Sequence, residues 1–404
     1  MNKDIKTACD KFEKILNAQL SRLEELKKGA EWENYSKLRV LRIGICYGDG
    51  IGVQISRHAE AVLRAVLSGQ DLPWKAEFVP INGLTIENRI KAGKAIPDKV
   101  LKEIKSCNVI LKGPTTTPQE GDGMPNLESA NVAMRRELDL FANIRPIRIP
   151  AEDINWTFFR ENTEGEYILG SKGFDVTPEL SVDFKVATQQ GCERIIKMAF
   201  EYARKNNLKK VTVVTKANVI KTTDGRFLKT AKKISAEYRH EGIACDEWYV
   251  DIMSAKLLDR QRRKEFQVIV LPNLYGDILT DEAAQLQGGV GTAGSANVGK
   301  KYAMFEAIHG SAPRMVKEGR AKYADPSSMI RACAMLLKHV GLKELSELLD
   351  MALDVCAMYE KKFVITGREN GVTGEAFGRY VIDTAKRKDL KETWQASLKK
   401  NRTE

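Results

Sequence analysis

Apolar and polar positions follow two rhythms along this chain. Short, nearly uncharged apolar runs, such as Val40–Cys46, Asn108–Lys112, Ile154–Phe159, Lys210–Thr215 and Phe266–Leu271, predict buried strands. A further strand is expected at Glu247–Val250. Between them, apolar residues recur every three or four positions. This predicts helices at 8–28, from Gly52 through Ser68, and at 97–105, 129–140, 191–205 and 224–238, with mostly helix from Ser327 onward, broken by a loop at 365–374. Strands alternating with helices predict an α/β sheet covered on both faces. Residues 168–190 carry neither rhythm and are expected to form an arm or hairpin. The first helix precedes the first strand, so it is an appendage. Its stripe of Phe12, Ile15, Leu16, Leu20, Leu23 and Leu26 must be covered by the body or by another subunit.

The stretch after the Phe266–Leu271 run holds the clearest candidate chemistry. Gly276 is expected to bend the chain, with Asp277 opening a helix. Asp277 and Asp281 are four apart, so on a helix both carboxylates leave one face. Two stacked like charges repel unless a cation sits between them, and oxygen donors select Mg²⁺ or Mn²⁺. The simpler reading is an N-capping Asp followed by a solvated one.

Composition narrows the class. The chain has 404 residues, enough for two domains, and its 43% hydrophobic and 29% charged content is that of a globular protein. No apolar run is long enough to span a bilayer, so no membrane partner is expected. Seven scattered cysteines without CxxC spacing point to reduced thiols and a cytoplasmic location. The net charge of +11 is spread along the chain without a basic tract, which argues against a nucleic-acid partner and suits small polyanions.

Two loops add to the picture. Gly48-Asp-Gly-Ile-Gly52 joins a strand to a helix, the order used by phosphate-binding loops, yet it is neither GxGxxG nor GxxxxGK[ST]. A tight turn explains its glycines equally well. Gly113-Pro-Thr-Thr-Thr-Pro118 predicts a rigid loop carrying three hydroxyls.

Taken in order, GDGIG (48–52), KGPTTTP (112–118), SANVAMRRELDLFANIRP (129–146), RENTEGEY (160–167), TKANVIK (215–221), NLYGDILTDEAA (273–284) and FEAIHGSAP (305–313) resemble the motifs of the β-decarboxylating dehydrogenases. That family includes isocitrate, homoisocitrate, 3-isopropylmalate and tartrate dehydrogenases. The resemblance covers about residues 40–390 and implies two open α/β domains with the active cleft between them. The expected division is an N-terminal extension (1–37), a discontinuous cofactor domain (38–142 plus 288–404) and a small substrate and dimerisation domain (143–287) bearing the arm. An obligate homodimer with shared active sites is also implied.

The resemblance implies a role for each matching residue. Arg135, Arg145 and Arg160 match the arginines that hold the substrate carboxylates, a task suited to planar guanidinium forks. Asp251, Asp277 and Asp281 match the metal ligands, with Mg²⁺ or Mn²⁺ expected. Tyr167 and Lys216 match the acid–base pair, and a lysine acts as base only when its pKa is lowered. Lys216 and Asp251 are expected from the partner subunit. Read singly, the arginines are surface ion pairs and Tyr167 a strand-end aromatic.

Ser129 and Asn131 offer hydrogen bonds to a third carboxylate, where an isopropylmalate enzyme needs apolar groups; isocitrate is the expected substrate and homoisocitrate the next. The implied cofactor site comprises Thr116, Thr117, His309, Gly310, Ser311, Ala312, Arg314, Asp325 and Arg368. Arg314 stands where NAD-dependent relatives place an Asp, and Arg368 where they place an acid. Guanidiniums suit a 2′-phosphate, so NADP is expected, with NAD as the alternative. Asp325 stands where an Asn is expected to touch the adenine. A non-catalytic regulatory or RNA-binding member is the reading from another class, although the matched acid, base and metal positions are intact. Deleting residues 1–34 is expected to change assembly or stability and to leave the Michaelis constant for substrate nearly unchanged.

Overall fold

The computed structural model describes residues 3–118, 121, 123–169 and 172–403, the last three by their backbone only. In chain order the elements are α1 (Lys3–Lys28), β1 (Val40–Cys46), α2 (Gly52–Leu67), β2 (Lys75–Pro80), α3 (Ile86–Ala92), α4 (Asp98–Lys105), β3 (Val109–Lys112) and α5 (Ala130–Glu137). Next come β4 (Ala142–Ile149), β5 (Ile154–Glu161), β6 (Phe174–Thr177), β7 (Leu180–Val182), α6 (Gln189–Lys205), β8 (Lys210–Thr215), α7 (Thr223–Tyr238), β9 (Ala244–Tyr249) and α8 (Val250–Leu258). The chain closes with β10 (Val268–Leu271), α9 (Asn273–Gln287), β11 (Gly294–Val298), β12 (Ala303–Ala307), α10 (Pro313–Lys317), α11 (Ser327–His339), α12 (Lys343–Asp354), α13 (Gly374–Ala385) and α14 (Leu390–Thr403).

Ten strands form one sheet in the order β2-β1-β3-β12-β11-β4-β5-β10-β8-β9. Its two wings are parallel, β2-β1-β3-β12 and β5-β10-β8-β9. An antiparallel seam through β11 and β4 joins them. One wing draws strands from residues 40–112 and 294–307, so both ends of the chain build it. Parallel wings need cover on both faces, which explains the all-buried patterns of β3 and β10. The largest apolar cluster packs α2, α11 and α6 against the sheet, and two smaller clusters fill the opposite face of each wing.

Several expectations needed revision. β2, β4, β11 and β12 were not legible as strands. β4 contains Pro146, which lacks the N–H a central strand uses. It is tolerated because β4 pairs with β11 only over Ala142–Ile144, and Pro146 lies beyond that stretch. The glycine-rich segment 288–299 contains β11, buried throughout. In the 168–190 arm, β6 and β7 pair as an antiparallel hairpin, while residues 170 and 171 lie outside the described residues.

α1 is longer than its apolar stripe predicts, and none of its residues is fully buried. Phe12 stacks on Phe184 of the arm at 5.2 Å between ring centroids, and Lys11 lies over the Phe174 ring. Arg22 reaches the loop after β5. Ile15, Leu23 and Leu26 are half-buried, whereas Phe12, Leu16 and Leu20 stay exposed on this chain. No helix among the described residues is long and apolar enough to cross a membrane.

Candidate active site

β5, β10, β8 and β9 run parallel, so their C-terminal ends share one sheet edge, where ligands of open α/β sheets bind. Arg160 sits at the end of β5. Lys216, Asp251 and Asp277 follow β8, β9 and β10. α9 begins at Asn273, with Pro272 in the N-cap position, so Asp277 neither opens nor caps it. Asp277 and Asp281 therefore occupy successive turns of a helix that packs on β4 and β5.

Gly276 does not bend the chain. It sits inside α9, and a Cβ there would lie 2.4 Å from Cγ of Arg160 and 2.7 Å from its Cβ. The missing side chain lets Arg160 pass under the first turn of the helix. Arg160 then donates from Nε and Nη2 to Asn273 Oδ1, at 3.0 and 2.7 Å, and from Nη1 to Asp277 Oδ1. Tyr167 donates to the other oxygen of Asp277 at 2.8 Å. Arg145, on β4, donates to Asp281 Oδ1 at 3.1 Å and lies 3.7 Å from Asp277. Arg135, on α5, lies 3.5 Å from Glu306, a carboxylate already shared with buried Lys112 and with Asn297. Arg135 and Tyr167 line one cleft with Val132 and Thr163.

The electrostatics show an excess of positive charge. Burial, then Arg135, then Arg145 push Arg160 down to about 9, against the opposing pull of Asp277. Burial also lowers Arg145, with Arg135 acting the same way. Burial pushes the Asp277 carboxyl up, but Arg160 and Arg145 outweigh it, and its pKa falls below the ordinary value. Asp281 is raised by burial and by Asp277, despite Arg145. Burial, then Asp277, push Tyr167 up to about 12, so it holds its proton at neutral pH. Three buried guanidiniums facing two part-exposed carboxylates suit a polyanion that arrives with a divalent cation.

Lys216 and Asp251 pair with each other instead, Nζ donating to Oδ1 at 2.6 Å. The backbone N–H of Lys216 is held by buried Asp224. No hydrogen bond or ion pair among the described residues joins this pair to Asp277 or Asp281. Among the described residues no three metal-binding side chains of one chain converge. The donors still fit a hard cation: Asp277 and Asp281 are 39% and 56% exposed along one helix face, and Asp251 is 65% exposed on another element.

The proposed cofactor residues gather around the first glycine loop. Gly50 has a left-handed φ of 59°, and a Cβ there would meet Ser311 O at 2.1 Å. Asp49 accepts from the N–H groups of Thr116 and Ile86, and Thr116 Oγ1 lies 2.9 Å from Ser311 Oγ. Thr117 and Gly310 are exposed, and His309 and Ala312 are half-buried beside them. Arg314 is 88% exposed and paired with Glu318. Arg320 donates to Gly367 O at 2.6 Å and so ties the loop carrying exposed Arg368 to α10. Asp325 accepts from Ser327 N–H at the start of α11, so its carboxylate serves the helix terminus. Thr115 donates to Asn131 Oδ1 at 3.2 Å, which joins this loop to the start of α5, where Ser129 stands as the N-cap.

Sequence reasoning missed the supports. Arg89 is fully buried and donates to the carbonyls of Ala95, Thr116 and Glu128, clamping both loops. Asn273 orients Arg160, and Glu306 orients Arg135. Each looks like an ordinary polar residue in its own stretch; only distant partners reveal it.

The family model for isocitrate/isopropylmalate dehydrogenase matches residues 42–364. The chain belongs to this family. Its members are β-decarboxylating oxidoreductases. The chain is 39% identical over 317 residues to isocitrate dehydrogenase [NADP] of Rickettsia prowazekii, covering 77% of this chain and 62% of that protein's length. It is 34% identical over 339 residues to homoisocitrate dehydrogenase of Methanocaldococcus jannaschii, covering 80% and 92% of the two. Isocitrate dehydrogenase from Methylococcus capsulatus superposes with a TM-score of 0.73 at 33% identity, covering 86% of this chain and all of that structure. These members of the isocitrate/isopropylmalate dehydrogenase family differ in the substrates their names carry.

Proposed function

We propose that the chain oxidatively decarboxylates isocitrate to 2-oxoglutarate and CO₂, with NADP and Mg²⁺ or Mn²⁺, as a homodimer with shared sites. The observation that carries this reading is the cluster of Arg135, Arg145 and Arg160 around Asp277, Asp281 and Tyr167. The arginines hold the substrate carboxylates through their forks. Ser129 and Asn131 meet the third carboxylate, the feature that favours isocitrate over isopropylmalate. Asp277 and Asp281 would hold the divalent ion together with Asp251 of the partner subunit. When bound, the ion would supply positive charge to the substrate oxygens and the nicotinamide cofactor would supply the hydride acceptor. Lys216 of the partner takes the hydroxyl proton, the carbon–carbon bond to the leaving carboxylate breaks to release CO₂, and Tyr167 returns a proton to carbon. The Lys216–Asp251 pair is available to a second copy because it lies outside the arginine cluster of its own chain.

The test is turnover of isocitrate, homoisocitrate, isopropylmalate and tartrate, each with NADP and NAD, with and without EDTA. Isocitrate with NADP is expected to be fastest, and EDTA to abolish it. Faster turnover of homoisocitrate reassigns the substrate. Silence in every pairing, together with RNA binding, replaces the enzyme reading with a non-catalytic one.

Arg314 provides a cofactor test. Among the described residues it pairs only with Glu318, and that pair is exposed, so substitution disturbs the fold little. Arg314→Ala is expected to raise the Michaelis constant for NADP roughly tenfold, the size of one lost charge-assisted bond, and to leave that for NAD within about twofold. Equal movement of both constants rejects the assignment.

A further inference from the structure

The N-terminal helix touches the chain at a place its appended position does not suggest. Arg22 of α1 donates from Nη1 to Glu164 Oε1 at 3.2 Å and from Nη2 to Thr163 O at 3.3 Å. Its side chain is only 18% exposed, and that of Glu164 only 3%. Thr163 and Glu164 lie in the loop that leaves the end of β5, just past Arg160, and runs to Tyr167.

That loop has little slack. Glu161 accepts from the N–H groups of both Thr163 and Glu164. Glu164 accepts from the N–H and hydroxyl of Thr188, and Gly165 N–H donates to Val186 O. Asn273 donates to the carbonyl of Glu164 and accepts from Arg160, so one amide links the loop to the guanidinium. The loop also carries an electrostatic load, because Glu161 and Glu164 are both buried. Burial first, then the neighbouring Glu164, push the Glu161 carboxyl up. Arg194, anchored by Asp139 and Thr163, faces this pair from α6. Arg22 is the cation that arrives from the appended helix. α1 is otherwise held by the Phe12–Phe184 stack, by Lys11 over Phe174 and, further on, by the bond from Glu33 N–H to Lys300 O. None of its residues is fully buried.

We propose that Arg22 is a positioning residue for the substrate site: the N-terminal helix clamps the 160–167 loop, and its release loosens Arg160 and Tyr167 together. The inference rests on the function proposed above for those two residues. It reverses the expectation that removing residues 1–34 spares the Michaelis constant for substrate.

The test uses the full-length protein carrying Arg22→Ala or Arg22→Lys, alongside a chain lacking residues 1–30. With isocitrate, Mn²⁺ and NADP, Arg22→Ala and the deletion are expected to raise the Michaelis constant for the acid roughly tenfold. The constant for NADP stays within about twofold, and Arg22→Lys recovers part of the loss. Hydrogen exchange at the amides of 163, 164 and 165 is expected to quicken in Arg22→Ala while β8 keeps its protection. This readout requires no turnover, so an inactive wild type refutes the proposed function and leaves the clamp decided by exchange. Unchanged exchange at those amides in Arg22→Ala overturns the clamp. So does an acid constant within about twofold of wild type in both Arg22→Ala and the deletion.

Discussion

Asp277→Asn is expected to lower turnover of the preferred acid by roughly a thousandfold, the scale of losing one charge-stabilising group in a water-poor site. Asp277 is the counter-charge shared by Arg160 and Arg145 and the acceptor of the Tyr167 hydroxyl. Asparagine keeps one oxygen acceptor and loses the negative charge. The guanidiniums then repel with only Asp281 left as a counter-charge beside Arg145, and one donor to a divalent cation is gone. The stability cost is expected to be modest, about 1–2 kcal/mol, because the carboxylate is 39% exposed and one hydrogen bond survives. Steady-state kinetics, with calorimetric titration of Mn²⁺ in the presence of isocitrate, separate the two effects. Turnover within tenfold of wild type, with Mn²⁺ affinity unaltered, removes Asp277 from the metal site.

Gly276→Ala is the second large effect, and its sign opposes helix propensity. Alanine in place of glycine inside a helix ordinarily stabilises it by about 1 kcal/mol. Here the added methyl meets Cβ, Cγ and Cδ of Arg160 at 2.7, 2.4 and 2.9 Å. These atoms lie near the root of a fully buried side chain, so they cannot swing aside as a flexible tip would. Overpacking of this kind costs about 1–3 kcal/mol, so a net loss of melting stability is expected. Displacing the guanidinium is expected to lower kcat/KM roughly a hundredfold, the scale of an ångström of misplacement. A variant that is both more stable and fully active contradicts the close passage of Arg160 beneath α9.

These two residues illustrate where sequence reasoning carried and where it stopped. The pairing of Asp277 with Asp281 follows from helical period alone, and α9 presents both on successive turns. Gly276, one position earlier, reads as a bend in the sequence because a glycine beside a strand end usually is one. Its actual reason is a side chain from β5, which local pattern cannot report. Arg22 presents the same problem more sharply. On α1 it is one basic residue among many, yet it touches a buried carboxylate in the loop between β5 and Tyr167.

By itself, the order of apolar runs and helical stretches determined the α/β class, because burial on a sheet face or a helix stripe imposes periods of 2 and 3.6. The ordered motifs determined the family and the candidate acids, bases and arginines. Only the tertiary structure decided that ten strands close into one sheet through an antiparallel seam. It also decided that Arg145 and Arg160 share Asp277 and Asp281 while Arg135 turns to Glu306, and that Lys216 and Asp251 pair with each other. Those outcomes depend on contacts between residues far apart in the chain, whose energies come from burial and charge and leave no local periodicity to read.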